Sequence, residues 1–347
     1  MNNNKKIKIA IISGPENGSP KVLATTLESF IKSVGHQPKV FFKSKAIKRL
    51  NKRCQGCNKV LWWIYRTIHY LNDQLFFIHL RRYNAIVVCD WTPNAFLKGV
   101  YDIKKMKILT KGKPILYYAV QYLGNAPTQI EKLKSGGHPL FEKYDWHLSV
   151  SEVTEIRQRP APPWSHIGLY LKGTGLAPVV KEKFIAVVDY AQEGYLNYRK
   201  EQIEVLEELG IEYVSLEKKY TIEKIRKYYK SAAIYFMQSA EAFGMPIAEC
   251  LATGTYIFTP DSSWPMAWRL NENPTVHGPG VLPECFVEYN GKLDLKKKID
   301  TIKNNFDSLN TPKKVFNIFS QYYLSYYQGN AESLKCVIEK IEKKEIG

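Results

Sequence analysis

The stretch Ser231–Pro260 reads SAAIYFMQSAEAFGMPIAECLATGTYIFTP. Ala233–Met237 is a short run of apolar and aromatic residues, which predicts a strand. A loop with Glu241 and Gly244 follows. Pro246 suits the first turn of a helix, and Gly254 suits the residue just past its end. That places a helix at Pro246–Ala252 and the next strand at Thr255–Thr259. Strand, glycine-bearing loop, helix and strand make one unit of a parallel sheet. In such sheets ligands bind outside the carboxyl ends of the strands. The exposed amides and dipole of a helix N-terminus attract anions there. Glu241 in the loop and Glu249 on the helix therefore flank an anion site. Two carboxylates so placed can grip separate hydroxyl-bearing parts of one extended, phosphate-containing ligand. Their structural alternative is a pair of acids that only complement the helix dipole.

The same alternation extends outward in both directions. Strands are predicted upstream at Ile7–Ile12, Pro38–Phe42, Ala85–Asp90, Ile115–Val120, Asp145–Val150 and Ile167–Leu171, with a helix at Val22–Val34. A proline-rich stretch at Arg159–Pro163 and a Gly/Pro stretch at Gly173–Pro178 interrupt the pattern. It then resumes with strands at Phe184–Val188 and Glu212–Ser215 and helices at Arg199–Leu209 and Ile222–Lys230. The last part is helical: Leu293–Phe306, Pro312–Tyr327 and Ala331–Lys344. Two α/β halves with mostly parallel sheets result, meeting near residues 172–182. In the final helix Leu334, Val337, Ile338 and Ile341 share one face, which predicts docking onto the body, on the first half.

Composition narrows the class. The chain has 347 residues, 45% hydrophobic and 24% charged, the profile of a folded globular protein rather than a disordered one. No apolar run approaches the roughly 18 residues a membrane-spanning helix needs. The N-terminal MNNNKKIKIAIIS lacks the long apolar region and small-residue cleavage site of a signal peptide and reads as a first strand. Six scattered cysteines form no disulfide framework and fit a reducing, cytoplasmic setting. Cys54 and Cys57 form one C-x-x-C with no partner pair at zinc spacing, so no metal site is expected. The seven histidines show no metal spacing either. The formal net charge of +17 draws the protein to anionic surfaces and phosphorylated ligands.

Glu241-Ala-Phe-Gly-x-x-x-x-Glu249 resembles the E-x7-E signature of retaining GT-B glycosyltransferases, in particular family 4 of that class. The continuation to Ile257 keeps the family's register, with Cys250, Tyr256 and Ile257 replacing its usual alanine, proline and valine. The match covers about thirty residues; the rest of the chain agrees in layout. The resemblance implies two Rossmann-like domains facing across a cleft, with C-terminal helices crossing back. Residues 1–175 would form an acceptor-side, membrane-side domain. Residues 176–310 would form the nucleotide-sugar donor domain, and residues 311–347 the returning helices. Glu249 would hold the ribose, Glu241 would sit beside the transferred sugar as the catalytic carboxylate, and the amides of Phe243, Gly244 and Met245 would face sugar and diphosphate. Transfer from a nucleotide-diphosphate sugar to a glycan or lipid-linked acceptor would retain configuration. It would need no cofactor and no metal, since the chain has no Asp-x-Asp.

Three places depart from the family pattern. The loop after the first strand is Gly14-Pro-Glu-Asn-Gly18-Ser19 instead of a Gly-Gly pair, and Gly18 and Ser19 are the donor-side candidates there. Gln121 stands where a histidine is frequent. Arg199 and Lys200 are the nearest candidates for the diphosphate cations, displaced from the usual spacing, with a solvated helix face as their structural alternative. Asp90 and Gln121 are acceptor-side candidates, and a helix cap is the alternative for Asp90.

Phe30–Asn72 contains ten Lys/Arg and no Asp or Glu. Lys45, Lys48, Arg49, Lys52 and Arg53 crowd one stretch, and Trp62 and Trp63 follow. Cations beside tryptophans suit an anionic membrane surface. They suit nucleic acid as well, through phosphate contacts and base stacking; some phage enzymes of the GT-B fold glucosylate DNA. A buried helix with solvated lysines is the structural alternative. The expectation is a cytoplasmic, peripherally membrane-associated transferase. A DNA-modifying enzyme of the same fold and a catalytically silent binding protein are its competitors.

Overall fold

The computed structural model describes residues 6–14, 18–42, 59–89, 103–121, 143–151, 163–191, 193–217, 220–270 and 280–346. The first half holds β1 (Lys8–Ser13), α1 (Ser19–Ser33), β2 (Gln37–Phe42), α2 (Lys59–His79), β3 (Ala85–Cys89), α3 (Ile103–Leu109), β4 (Ile115–Gln121), β5 (Trp146–Ser151) and β6 (Trp164–His166). The second holds β7 (Ala186–Val188), α4 (Leu196–Glu208), β8 (Tyr213–Ser215), α5 (Ile222–Ser231), β9 (Ile234–Phe236), α6 (Met245–Ala252), β10 (Tyr256–Thr259), β11 (Phe286–Glu288) and α7 (Gly291–Asn304). Helices α8 (Asn310–Gln328) and α9 (Ala331–Glu342) close the chain.

Two sheets result, with strand orders β2-β1-β3-β4-β5-β6 and β11-β10-β9-β7-β8. Every strand pair in both is parallel. The central strands β3, β7 and β9 are buried and apolar along their whole length because helices cover both faces. In the first sheet Ala10, Ile12, Ile86 and Val88 face Phe77, Leu80, Ile103 and Met106. Ile9, Ile11, Ala85 and Val87 face the other way, toward Leu23, Leu27 and Phe30 of α1. In the second sheet Val188, Ile234 and Phe236 meet Val205, Leu206 and Ile299 from α4 and α7. The opposite face joins the α1 core, so one apolar cluster runs through both halves.

Each sheet reverses its winding once. β1 lies between β2 and β3, and β7 between β8 and β9. Those are the switch points where parallel sheets open a crevice at their carboxyl ends.

The chain returns to the first sheet at its end. Leu334, Val337, Ile338 and Ile341 of α9 are buried, and Lys340 lies over the Trp146 ring. Ser325 of α8 accepts a hydrogen bond from the Leu169 amide (2.9 Å), and the Asn330 amide donates to Ile167 (2.8 Å).

One predicted strand is corrected. The apolar run Ile167–Leu171 is not in the sheet; β6 ends at His166. Gly168, at φ +72°, turns the chain out of the sheet. Leu169 and Leu171 then bury themselves in the core shared with α8. Their apolar pattern reports burial, not strand pairing. Strand β11, three residues long, carries no pattern that the sequence reading found.

Candidate functional site

Glu241, Gly244 and Glu249 are carried by β9, the loop after it, and α6. Gly244 is the residue before the helix and adopts φ +66°, a conformation that favours glycine. A Cβ there would come within 2.7 Å of Ile247 Cδ1 and 2.8 Å of Glu241 Oε2. The backbone can turn into α6 beside the Glu241 carboxylate only because this residue has no side chain. Pro246 occupies the first turn, and no side chain caps the helix. Its first amides therefore point outward, unsatisfied by the helix itself.

A second loop locks this turn. Phe243 is fully buried and stacks on Trp268, with ring centroids 5.1 Å apart. The Trp268 indole donates to the Phe243 carbonyl (2.5 Å). The Ala267 amide donates to the Ala242 carbonyl (2.9 Å). From α8, the Tyr323 hydroxyl donates to the Trp268 carbonyl, and the Tyr326 ring meets Phe243 edge-on at 5.1 Å.

The two glutamates sit in different surroundings. Glu249 is buried, and Arg226 of α5 donates to its Oε1 through Nε (2.9 Å) and Nη2 (2.6 Å). Burial pushes the Glu249 carboxyl up, and the Arg226 charge and hydrogen bonds pull it back. Oε2 has no donor among the described residues. Glu241 has no such cation among the described residues. Burial and the charge of Asp189 raise it from 4.5 to about 7. Asp189 directly follows β7, so the two carboxylates occupy the switch point between β7 and β9. Burial also raises Asp189, opposed by the Tyr235 hydroxyl, the Tyr190 amide (2.7 Å) and the Arg199 charge.

The structure brings together Glu241, Phe243, Gly244, Met245 and Glu249 in one strand–loop–helix unit. Gly18 and Ser19 lie at the start of α1, on the carboxyl side of β1 in the other sheet. Arg199 reaches the carboxyl edge of β8, where it donates to Ser215 Oγ (2.5 Å) and Glu217 Oε1 (2.6 Å). Lys200 is not brought there; it is 78% exposed on α4 beside Glu204. Gln121 ends β4, and its side chain lies outside the described residues, as do Asp90, Lys45, Lys48, Arg49, Lys52 and Arg53. Trp62 and Trp63 lie in the first turns of α2.

Two participants escaped the sequence reading. Asp189 had a signal, an acid one residue past a strand end. Arg226 had none, since it lies among Lys224, Lys227 and Lys230 and looks like any solvated cation.

No family model and no curated protein matches this sequence. Solved structures do. HepE of Anabaena, in complex with UDP-glucose, is 12% identical over 97% of this chain and 99% of its own, with a TM-score of 0.50. UGT2 of Phytolacca americana, complexed with UDP-2-fluoro-glucose and pterostilbene, is 11% identical over 97% and 100%, with a TM-score of 0.53. The catalytic domain of starch synthase IV from Arabidopsis thaliana, bound to ADP and acarbose, is 9% identical over 93% and 98%, with a TM-score of 0.51. At such identities the likeness speaks to architecture alone, and with the two parallel sheets it shows that this chain has the GT-B fold of two Rossmann-like domains.

Proposed function

We propose that this protein is a retaining, metal-independent glycosyltransferase that moves a sugar from a nucleotide-diphosphate sugar to a glycan or lipid-linked acceptor at a cytoplasmic membrane face. The observation that carries the reading is the placement of Glu241 and Glu249 about the amino end of α6, at the switch point of the second sheet. Glu249 Oε2 accepts from the ribose hydroxyls while Arg226 neutralises Oε1. Glu241 accepts from a hydroxyl of the transferred sugar. The amides at Phe243, Gly244 and Met245, with the helix dipole, stabilise charge on the departing diphosphate. Gly18 and Ser19 approach from the first domain. The uridine-sugar complexes of HepE and UGT2 support this donor class.

The test is thermal stability with UDP-, GDP-, ADP- and dTDP-sugars, without added metal. A ligand bound only by the folded state raises the midpoint. One nucleotide family is expected to do so, and Glu249→Ala is expected to weaken its binding by about 1–3 kcal/mol. Unchanged affinity in the folded variant sinks the ribose assignment.

A second reading, a binding protein without transfer, is favoured by two observations. Arg199 is held by Glu217, and an acid, Asp189, stands beside Glu241. Hydrolysis of the donor separates the two: a silent protein binds it and leaves it intact.

A further inference from the structure

The basic, aromatic segment before residue 72 contains an element whose surface the site does not use. Helix α2 runs from Lys59 to His79, about 30 Å at 1.5 Å per residue. Its last part enters the core: Phe77 is buried against Ile103, Met106 and the first sheet. From Lys59 to Phe76 no described side chain is buried. Ile64, Ile68, Leu71, Leu75 and Ile78 recur every three or four residues, a single helical face. They are 40–65% exposed. Leu61 and Tyr65 widen the face on one side, and Trp63, 61% exposed, borders it on the other.

We propose that this face of α2 docks on an anionic lipid bilayer, with the helix lying in the interface plane. The inference deepens the membrane part of the transferase reading and rests on it for the purpose that docking serves. Three observations select the occupant. First, the surroundings are cationic. Asp73 is the one acid in α2, and α3, packed beside it, offers exposed Lys104 and Lys105 and no acid. Such a face complements a negative headgroup layer. Second, the face is too broad for a two-helix seam, which needs a narrow stripe with complementary flanking charges. A second copy would bring the same positive charge. Third, the face is chiefly aliphatic, with aromatic rings at its margins. That suits insertion at the headgroup boundary; a nucleic acid would need stacking rings and phosphate-facing cations in the face itself. No described helix is long and apolar enough to cross a membrane, so the face meets the bilayer from outside.

The experiment is co-sedimentation of the full chain with vesicles of phosphatidylcholine alone and of phosphatidylcholine mixed with phosphatidylglycerol. Binding to the mixed vesicles, weakened by salt, is expected. The double variant I68E/L75E is expected to lose at least about tenfold in vesicle affinity, because two apolar contacts are replaced by charges. Its circular dichroism and melting temperature report that it still folds. As a second readout, bromine-labelled acyl chains are expected to quench tryptophan emission in the native chain and less in W62F/W63F. Equal binding to both vesicle types, no binding, or native-like binding by folded I68E/L75E overturns the proposal. So does a native dimer that I68E/L75E converts to monomer without any lipid binding, or retention of the chain by duplex DNA in preference to mixed vesicles. Nucleotide-sugar thermal shifts are read separately. Vesicle binding with no shift by any donor leaves the docking face intact and removes the transferase; the reverse removes the face alone.

Discussion

Glu241 and Glu249 lie eight residues apart, and the chain treats their charge in opposite ways. Glu249 faces a guanidinium; Glu241 faces another carboxylate. The folded-state value of Glu241, about 7 against an ordinary 4.5, means that the native state holds this proton more tightly than the unfolded chain. Its contribution to stability is therefore present below pH 4.5 and lost as pH rises through 7. Glu241→Gln, neutral throughout, should match the native protein near pH 4 and exceed it by about 1–2 kcal/mol at pH 8 in urea unfolding. It should also lose transfer activity at the pH where it gains stability. Arg226→Met leaves Glu249 buried without its cation. A loss of about 2–4 kcal/mol is expected, and most of it should return in R226M/E249Q, where both charges are gone. At this scale the sequence was half legible. The glutamate pair, Phe243 and Gly244 are close in the chain, so spacing reveals them. Asp189 and Arg226 reach the same site from other elements, and only the folding of β7 and α5 beside β9 makes them neighbours.

Secondary structure obeys the same division. Strands β1, β3, β4 and β5 are apolar runs bounded by turn residues, and their positions follow from composition. Strand β6 and the buried segment after it do not, because burial by a helix distant in sequence imitates the pattern of a strand. Gly168 is where that distinction is enforced. A Cβ on it would come within 2.1 Å of the Ser325 carbonyl oxygen. The residue is also in the left-handed region, so any replacement carries both a clash and backbone strain. Gly168→Ala should lower stability by about 2–4 kcal/mol, read from the urea midpoint. Because α8 also supports Trp268, it should weaken donor binding as well. A variant of native stability would show that α8 shifts freely.

At the scale of the whole molecule, the two-domain plan was readable from the repeated strand–helix order, and the return of the last helix from one apolar face. How α8 braces the Glu241 loop was not readable, because Tyr323 and Tyr326 look like ordinary helix residues until Trp268 is placed against them. Removing residues 331–347 strips Leu334, Val337, Ile338 and Ile341 from the first domain. Full burial of each such side chain stabilises by about 1.5–3 kcal/mol. The shortened chain should therefore melt well below the full one and bind apolar dyes, as calorimetry and dye fluorescence would show.

The polypeptide passes between the domains twice, once after β6 and again where α8 gives way to α9. The two passages lie side by side, tied by the bonds from Leu169 to Ser325 and from Asn330 to Ile167. Through those bonds, a displacement of one passage is carried directly to the other. Since α8 also grips the loop of Glu241 through Trp268, whatever shifts that joint reaches the Glu241 carboxylate as well.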